Sequence, residues 1–169
     1  SCYYPLGRCY EYGHGVEEDI TMAIMLYRKG VDANDSDACE RLGEHYADGI
    51  EGILEPNVNE AIHLFEKGAE LGNERCMTSL GYLYLEGEGG FVSKYPEIID
   101  KQKGIYWLKK AAELGDESCM TNLGYLYLEG SVYLTETTDI IDKEKAIYWF
   151  KKAAELGDET AEAKLEELC

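Results

Sequence analysis

The groups in this chain that could do chemistry are 3 histidines, 6 cysteines, 14 tyrosines and 34 acidic side chains among 169 residues. His14 sits between Gly13 and Gly15, in a turn that directs a side chain to solvent. His45 shares a helical slot with Cys9, Leu83 and Leu126, and His63 shares one with Met25, Tyr106 and Tyr148, so both read as scaffold positions. No two histidines share a helix face with a carboxylate at ligand spacing, which argues against zinc. Asp139 with Asp142, or Glu86 with Glu88, could graze a calcium ion, but no twelve-residue calcium loop surrounds them. Gly87-Glu88-Gly89-Gly90 lacks the Lys-Ser/Thr that completes a phosphate loop, and no nucleophile elbow is present. The expectation is a protein without catalytic residues, metal or cofactor.

The cysteines read as packing residues. Cys2 and Cys9 are seven apart, a rise of about 10 Å on a helix and beyond disulfide reach. Cys2, Cys76 and Cys119 each lie four residues before a Leu-Gly pair, where Ala38 precedes Leu42-Gly43. Reduced thiols point to a cytoplasmic setting. The chain opens at Ser1 without a Met, so a trimmed signal or earlier repeats, and a secreted or periplasmic location, stay open.

Charge narrows the partners. With 16 basic residues against 34 acidic ones the net charge is −18, which repels nucleic-acid backbones and anionic membranes and favours a basic protein or peptide. No apolar run approaches the ~18 residues of a membrane span. A monomer or weak oligomer is expected.

The elements that position these groups come from a repeat. Met77-Thr78-Ser79-Leu80-Gly81-Tyr82-Leu83-Tyr84-Leu85-Glu86-Gly87 returns as Met120-Thr121-Asn122-Leu123-Gly124-Tyr125-Leu126-Tyr127-Leu128-Glu129-Gly130, with weaker copies at Leu6-Gly7 and Leu42-Gly43. A second segment, Leu108-Lys109-Lys110-Ala111-Ala112-Glu113-Leu114-Gly115, recurs from Tyr27, Phe65 and Phe150. From its first residue to the next anchor Leu is always 15 positions (27 to 42, 65 to 80, 108 to 123). From an anchor Gly onward to the second segment is 20, 22, 27 or 26 (from Gly7, Gly43, Gly81 and Gly124). One connection is a tight turn and the other a tolerant loop.

Both segments carry the three-and-four apolar spacing of helices. Gly72, Gly115, Gly157 and Asn34 stand where a helix ends in a left-handed residue. Asn73, Asp116 and Asp158 stand where the next first helix needs a cap, and Asp19, Asn57, Asp100 and Asp142 where the second helix does. The reading is all-α: a right-handed α-solenoid of stacked antiparallel helix pairs. It divides into repeats 1–37, 38–74, 75–117 and 118–160 within one domain, 1–169. A terminal helix, 161–169, covers repeat four with Ala161 and Leu165 inward and Glu162, Glu166 and Glu167 outward.

This pattern resembles the Sel-one-like repeat, a relative of the tetratricopeptide repeat. Repeat one carries it in Leu6-Gly7, Tyr10, Gly13-His14-Gly15-Val16, Asp19 and Ala23, and repeat three in Lys109-Lys110-Ala111-Ala112-Glu113-Leu114-Gly115. The loops of repeats three and four depart from it, with Gly-x-Gly-Val-x-x-Asp lost and residues inserted. The resemblance implies a protein-interaction scaffold or adaptor. Cysteine-rich relatives associated with β-lactam binding or hydrolysis pair cysteines between the two helices of a unit, and the regular second helices here have none. A hydrolase of that type and a purely structural spacer are the alternatives.

Tyr10, Tyr46, Tyr84 and Tyr127 recur at one slot and read as a core ladder. The register of related helix pairs places another set on an inner, concave wall: Tyr4, Arg8 and Tyr12; Glu40, Glu44 and Asp48; Thr78, Tyr82 and Leu85; Thr121, Tyr125 and Leu128. Tyr82 and Tyr125 are the expected anchors, and Glu40, Glu44 and Asp48 the steering charges for a basic partner. The inserted loops offer a second surface through Phe91, Tyr95, Tyr133 and Leu134.

Overall fold

The computed structural model describes residues 2–85, 98–130 and 140–168. These form α1 (Tyr3–Tyr12), α2 (Ile20–Asp32), α3 (Ser36–Asp48), α4 (Val58–Glu70), α5 (Glu74–Leu85), α6 (Lys101–Glu113), α7 (Glu117–Glu129), α8 (Lys143–Glu155) and α9 (Glu159–Leu168). The described residues are therefore all-α, as the periodicity requires, apart from a single antiparallel bridge between Ile50 and Leu54. The chain forms two compact units, Ser1–Ser79 and Leu80–Cys169. Within each, successive helices pack against one another.

The anchor glycines explain how each pair closes. A Cβ built on Gly7 would lie 2.5 Å from the Tyr27 ring, and one on Gly124 would lie 2.5 Å from the Phe150 ring. Gly43 meets Phe65 and Gly81 meets Leu108 in the same way. Each anchor glycine is thus the socket for the first residue of the repeated second segment, and both socket and knob are buried. Tyr27, Leu108 and Phe150 are at most 1% exposed.

The tolerant loops end on a fixed hydrogen bond. The backbone N–H of Asp19 donates to the Tyr10 carbonyl, Asn57 to Tyr46, Asp100 to Tyr84 and Asp142 to Tyr127, at 2.7–2.8 Å. The same four residues cap the second helices, accepting from Met22, Glu60, Gln102 and Lys103, and Lys145. Loop length can vary because both ends are held by the same pair of residues. The tight turns also match expectation. Asn34, Gly72, Gly115 and Gly157 have φ of 56°, 88°, 109° and 100°, and Asp35, Asn73, Asp116 and Asp158 cap the following helices.

Of the tyrosine ladder, Tyr84 and Tyr127 are buried while Tyr10 and Tyr46 are half-buried. The small slot behaves as packing in Ala38, Cys76 and Cys119, each 0% exposed. Cys2 is exposed, a correction to its placement in that slot. Gly30 presses on Ala38 and Gly68 on Cys76 from the preceding second helix, and no described helix precedes Cys2. Cys2, Cys9, Cys39 and Cys76 are free thiols. In α9, Ala161 is buried, Leu165 only half-buried, and Glu162, Glu166 and Glu167 exposed.

Candidate functional site

The second unit brings the two expected anchors together. Tyr82 and Tyr125 line one cavity of about 190 Å³ with Leu85, Leu108, Asn122, Leu126 and Gly130. The Asn122 amide donates to the Tyr82 hydroxyl. The Tyr125 ring stands edge-on to Phe150 with centroids 5.1 Å apart, and the Lys164 ammonium lies 5.9 Å from its centroid. Both tyrosines are half-buried, with their rings fixed by neighbours. Pre-ordered aromatic surface of this kind binds with little loss of rotamer freedom.

Two residues expected as contact surface beside them are buried. Leu85 is 1% exposed and forms the floor of the cavity, because Gly104 lacks the Cβ that would collide with it. Thr121 is 8% exposed, and its hydroxyl donates to the Asp158 carboxylate at the cap of α9. Thr121 therefore ties α7 to the cap of α9 and leaves the contact surface. Thr78 and Leu128 are half-buried.

In the first unit, Tyr4, Ser36, Asp37, Glu40, Gly72, Asn73, Glu74 and Arg75 line a more open cavity of about 430 Å³. Glu40, one of the expected steering charges, is already engaged. It accepts from Arg75 Nη1 at 3.0 Å and from Asn73 at 3.1 Å. Burial pushes its carboxyl above the usual value, opposed by those two donors. Glu44 likewise pairs with Arg41 at 2.6 Å. Asp48 is exposed, as are Arg8 and Tyr12; Arg8 lies over the Tyr12 ring at 5.4 Å.

A polar cluster in the first unit brings together residues that the sequence reading did not connect. Glu11, on α1, is 9% exposed. It accepts from the Tyr27 hydroxyl of α2 at 2.5 Å and from Arg41 of α3 through both Nε and Nη2. Arg41 also donates to the Tyr12 hydroxyl at 2.7 Å. His45 stacks on the Tyr27 ring at 6.1 Å and places Nε2 3.3 Å from Glu11. Burial alone would raise the Glu11 carboxyl, but the donors Arg41 and Tyr27 hold it below the usual carboxylate value. The same bonds raise Arg41, and burial followed by the Glu11 charge raises Tyr27. Burial lowers His45, with Glu11 opposing. The cluster joins three helices.

Phe91, Tyr95, Tyr133 and Leu134 lie outside the described residues, as do Glu86, Glu88 and Asp139. Among the described residues, no three His, Cys, Asp or Glu side chains gather closely enough to hold a metal ion. No helix there is long and apolar enough to cross a membrane.

Comparison with known proteins gives the frame for these surfaces. The structure is similar to that of a Sel1 repeat protein from Oxalobacter formigenes, with 29% identity, TM-score 0.74, and coverage of 98% of this chain and 61% of that one. It is also similar to a protective antigen of uropathogenic Escherichia coli that displays an SLR fold, with 30% identity, TM-score 0.72, and coverage of 96% of this chain and 32% of that one. The chain therefore spans less than two thirds of either relative. An immunity protein from Pseudomonas aeruginosa shares the fold at 22% identity and TM-score 0.51, covering 94% of this chain and 53% of its own. No curated protein sequence matches. The Sel1 repeat model matches four times, at residues 1–35, 36–73, 75–116 and 118–158. These matches follow the four Gly sockets and their capped helix pairs, and the chain belongs to the Sel1 repeat family.

Proposed function

We propose that this protein is a non-catalytic adaptor that holds a protein or peptide segment, with Tyr82 and Tyr125 as the anchoring contacts. The observation that carries the reading is their shared cavity, in which two half-buried rings from successive first helices are fixed by Asn122, Phe150 and Lys164. Tyrosine rings held this way dominate protein interfaces, and the cavity's leucines supply apolar area without a reactive group. Repeat scaffolds present such surfaces from rigid helices.

The partner's basic character rests on charge. The chain carries −18 overall, and the cavity of the first unit sets Asp37, Glu40 and Glu74 against Arg75 alone. Arg75 is 78% exposed, so a partner's Lys or Arg can compete with it for Glu40. Asp48, Glu44 and the other acidic residues raise the encounter rate with cationic segments.

The test is titration of a basic binding peptide, selected from a random library, against Tyr82→Ala and Tyr125→Ala. Each substitution is expected to weaken binding by about 2 kcal/mol. Asp48→Lys with Glu44→Lys is expected to slow association and flatten its salt dependence. Unchanged affinity in both tyrosine variants would refute the anchoring role.

A further inference from the structure

The outward side of α6 and α8 in the second unit carries a surface that core packing does not require. On α6 it is Lys103, Tyr106 and Lys110, and on α8 it is Lys145, Tyr148 and Lys152, spaced by three and four along each helix. Tyr106 is 52% and Tyr148 51% exposed. Neither ring is loose: each stands edge-on to the adjacent tryptophan, Trp107 or Trp149, with centroids 5.1 Å apart. Lys110 sits 5.8 Å from the Tyr106 centroid and Lys152 5.5 Å from that of Tyr148. The two helices converge on a third ring, since Lys109 and Lys145 lie 5.6 and 5.5 Å from the centroid of Tyr127.

The charge of this surface is opposite to that of the chain. α6 and α8 hold Lys101, Lys103, Lys109, Lys110, Lys143, Lys145, Lys151 and Lys152 against Glu113, Glu144 and Glu155 and the caps Asp100 and Asp142, the latter 2.7 Å from Lys145, within a protein of net charge −18. Screening over about 8 Å at physiological salt makes the local balance decisive at contact distance. The repeat scaffold dictates only the last lysine of the stripe, which Lys29 and Lys67 share. At the corresponding positions the first unit has Met22, Met25 and Lys29 on α2, and Glu60, His63 and Lys67 on α4. Between α6 and α8 two core positions differ, Gly104 against Ala146 and Leu108 against Phe150, while all six stripe residues are the same.

We propose that this face docks an acidic segment of a second protein. Its carboxylates pair with the lysines flanking each tyrosine, and an apolar or aromatic side chain between them lies against Tyr106 or Tyr148. The lysine–tyrosine alternation fits that chemistry, because a carboxylate displaces the ammonium from the ring face only slightly while an apolar side chain covers the ring. This surface is distinct in position and in charge from the Tyr82–Tyr125 cavity, so either site can fail without the other.

The experiment is fluorescence anisotropy on the full chain with a labelled peptide of alternating Glu and Phe. The comparison probes are its Lys-for-Glu counterpart and a single-stranded oligonucleotide of matched charge. The acidic peptide is expected to saturate the protein. Lys103→Glu with Lys145→Glu, and Tyr106→Ser with Tyr148→Ser, are each expected to weaken it by about tenfold or more. Tyr106→Phe with Tyr148→Phe is expected to hold within about twofold, since the ring face supplies the contact. Thermal melts matching the parent protein identify any variant that has lost its fold; Lys103→Gln with Lys145→Gln then replaces it. The proposal is overturned if the acidic peptide fails to saturate, or if the lysine and serine variants bind it as the parent does. It is also overturned if the oligonucleotide binds this face more tightly, or if sedimentation shows a dimer that the serine variant abolishes.

Discussion

Arg41 on α3 holds Glu11 on α1 across the first unit, its Nε lying 3.0 and 3.1 Å from the two carboxylate oxygens. The Glu11 side chain is 6% exposed and that of Arg41 28%. Arg41 occupies the slot just before an anchor Leu, where Asn122 stands in repeat four, and both reach back to the preceding first helix. The residue one position earlier reaches forward, Glu40 to the cap Asn73 and Thr121 to the cap Asp158. Polar residues beside the anchor thus bond back to the first helix of the preceding repeat and forward to the cap of the next first helix.

Removing one partner of the buried pair leaves the other without compensation. Arg41→Ala is expected to destabilise the protein by about 2–4 kcal/mol, the usual cost of orphaning a buried charge reduced for the part-exposed guanidinium. Glu11→Gln with Arg41→Met should recover much of that loss, because the charge demand disappears with both groups. Urea unfolding of the single and double variants measures the coupling.

Acidification should weaken the fold in two stages. Burial holds folded His45 below its ordinary value of 6.5, among Glu11, Arg41, Glu44 and Asp48. The unfolded chain therefore takes up that proton first, and stability declines as pH falls from about 6.5 until the folded imidazole titrates. Glu11, held below 4.5, contributes stability above that value and loses it as pH falls through its folded value. Glu40, raised by burial, acts in the opposite sense and recovers a part once protonated. Denaturation midpoints followed from pH 8 to about pH 5 should lose their upper decline in His45→Gln.

The sockets admit no side chain. Gly43→Ala and Gly124→Ala place a Cβ 2.6 and 2.5 Å from the Phe65 and Phe150 rings. Each is expected to cost about 1–3 kcal/mol by overpacking. Calorimetric melting of the two variants checks this, and an unchanged transition would mean that the rings have room to retreat.

The fold was legible because its signals repeat. Four Leu-Gly anchors, four caps of the second helix and a constant turn leave few alternatives, and even Asn34 takes the left-handed turn in place of Gly. The pairing of Tyr82 with Tyr125 was legible for the same reason, as both follow an anchor Gly. Side-chain partners were not. Glu11 and Arg41 are 30 positions apart and occur once, so no period marks them. Leu85 looks like a surface leucine until the missing Cβ of Gly104 is seen to draw it inward. Glu40 reads as a free acid because its partners Asn73 and Arg75 lie 33 and 35 positions away.

The most direct test of the adaptor reading is an unbiased selection of displayed random peptides on the parent protein and on Tyr82→Ala with Tyr125→Ala. The account predicts that the parent enriches segments bearing Lys or Arg beside apolar residues, and that the double variant loses this enrichment while keeping its helical signal. Equal enrichment by both proteins, or none by the parent, would contradict it.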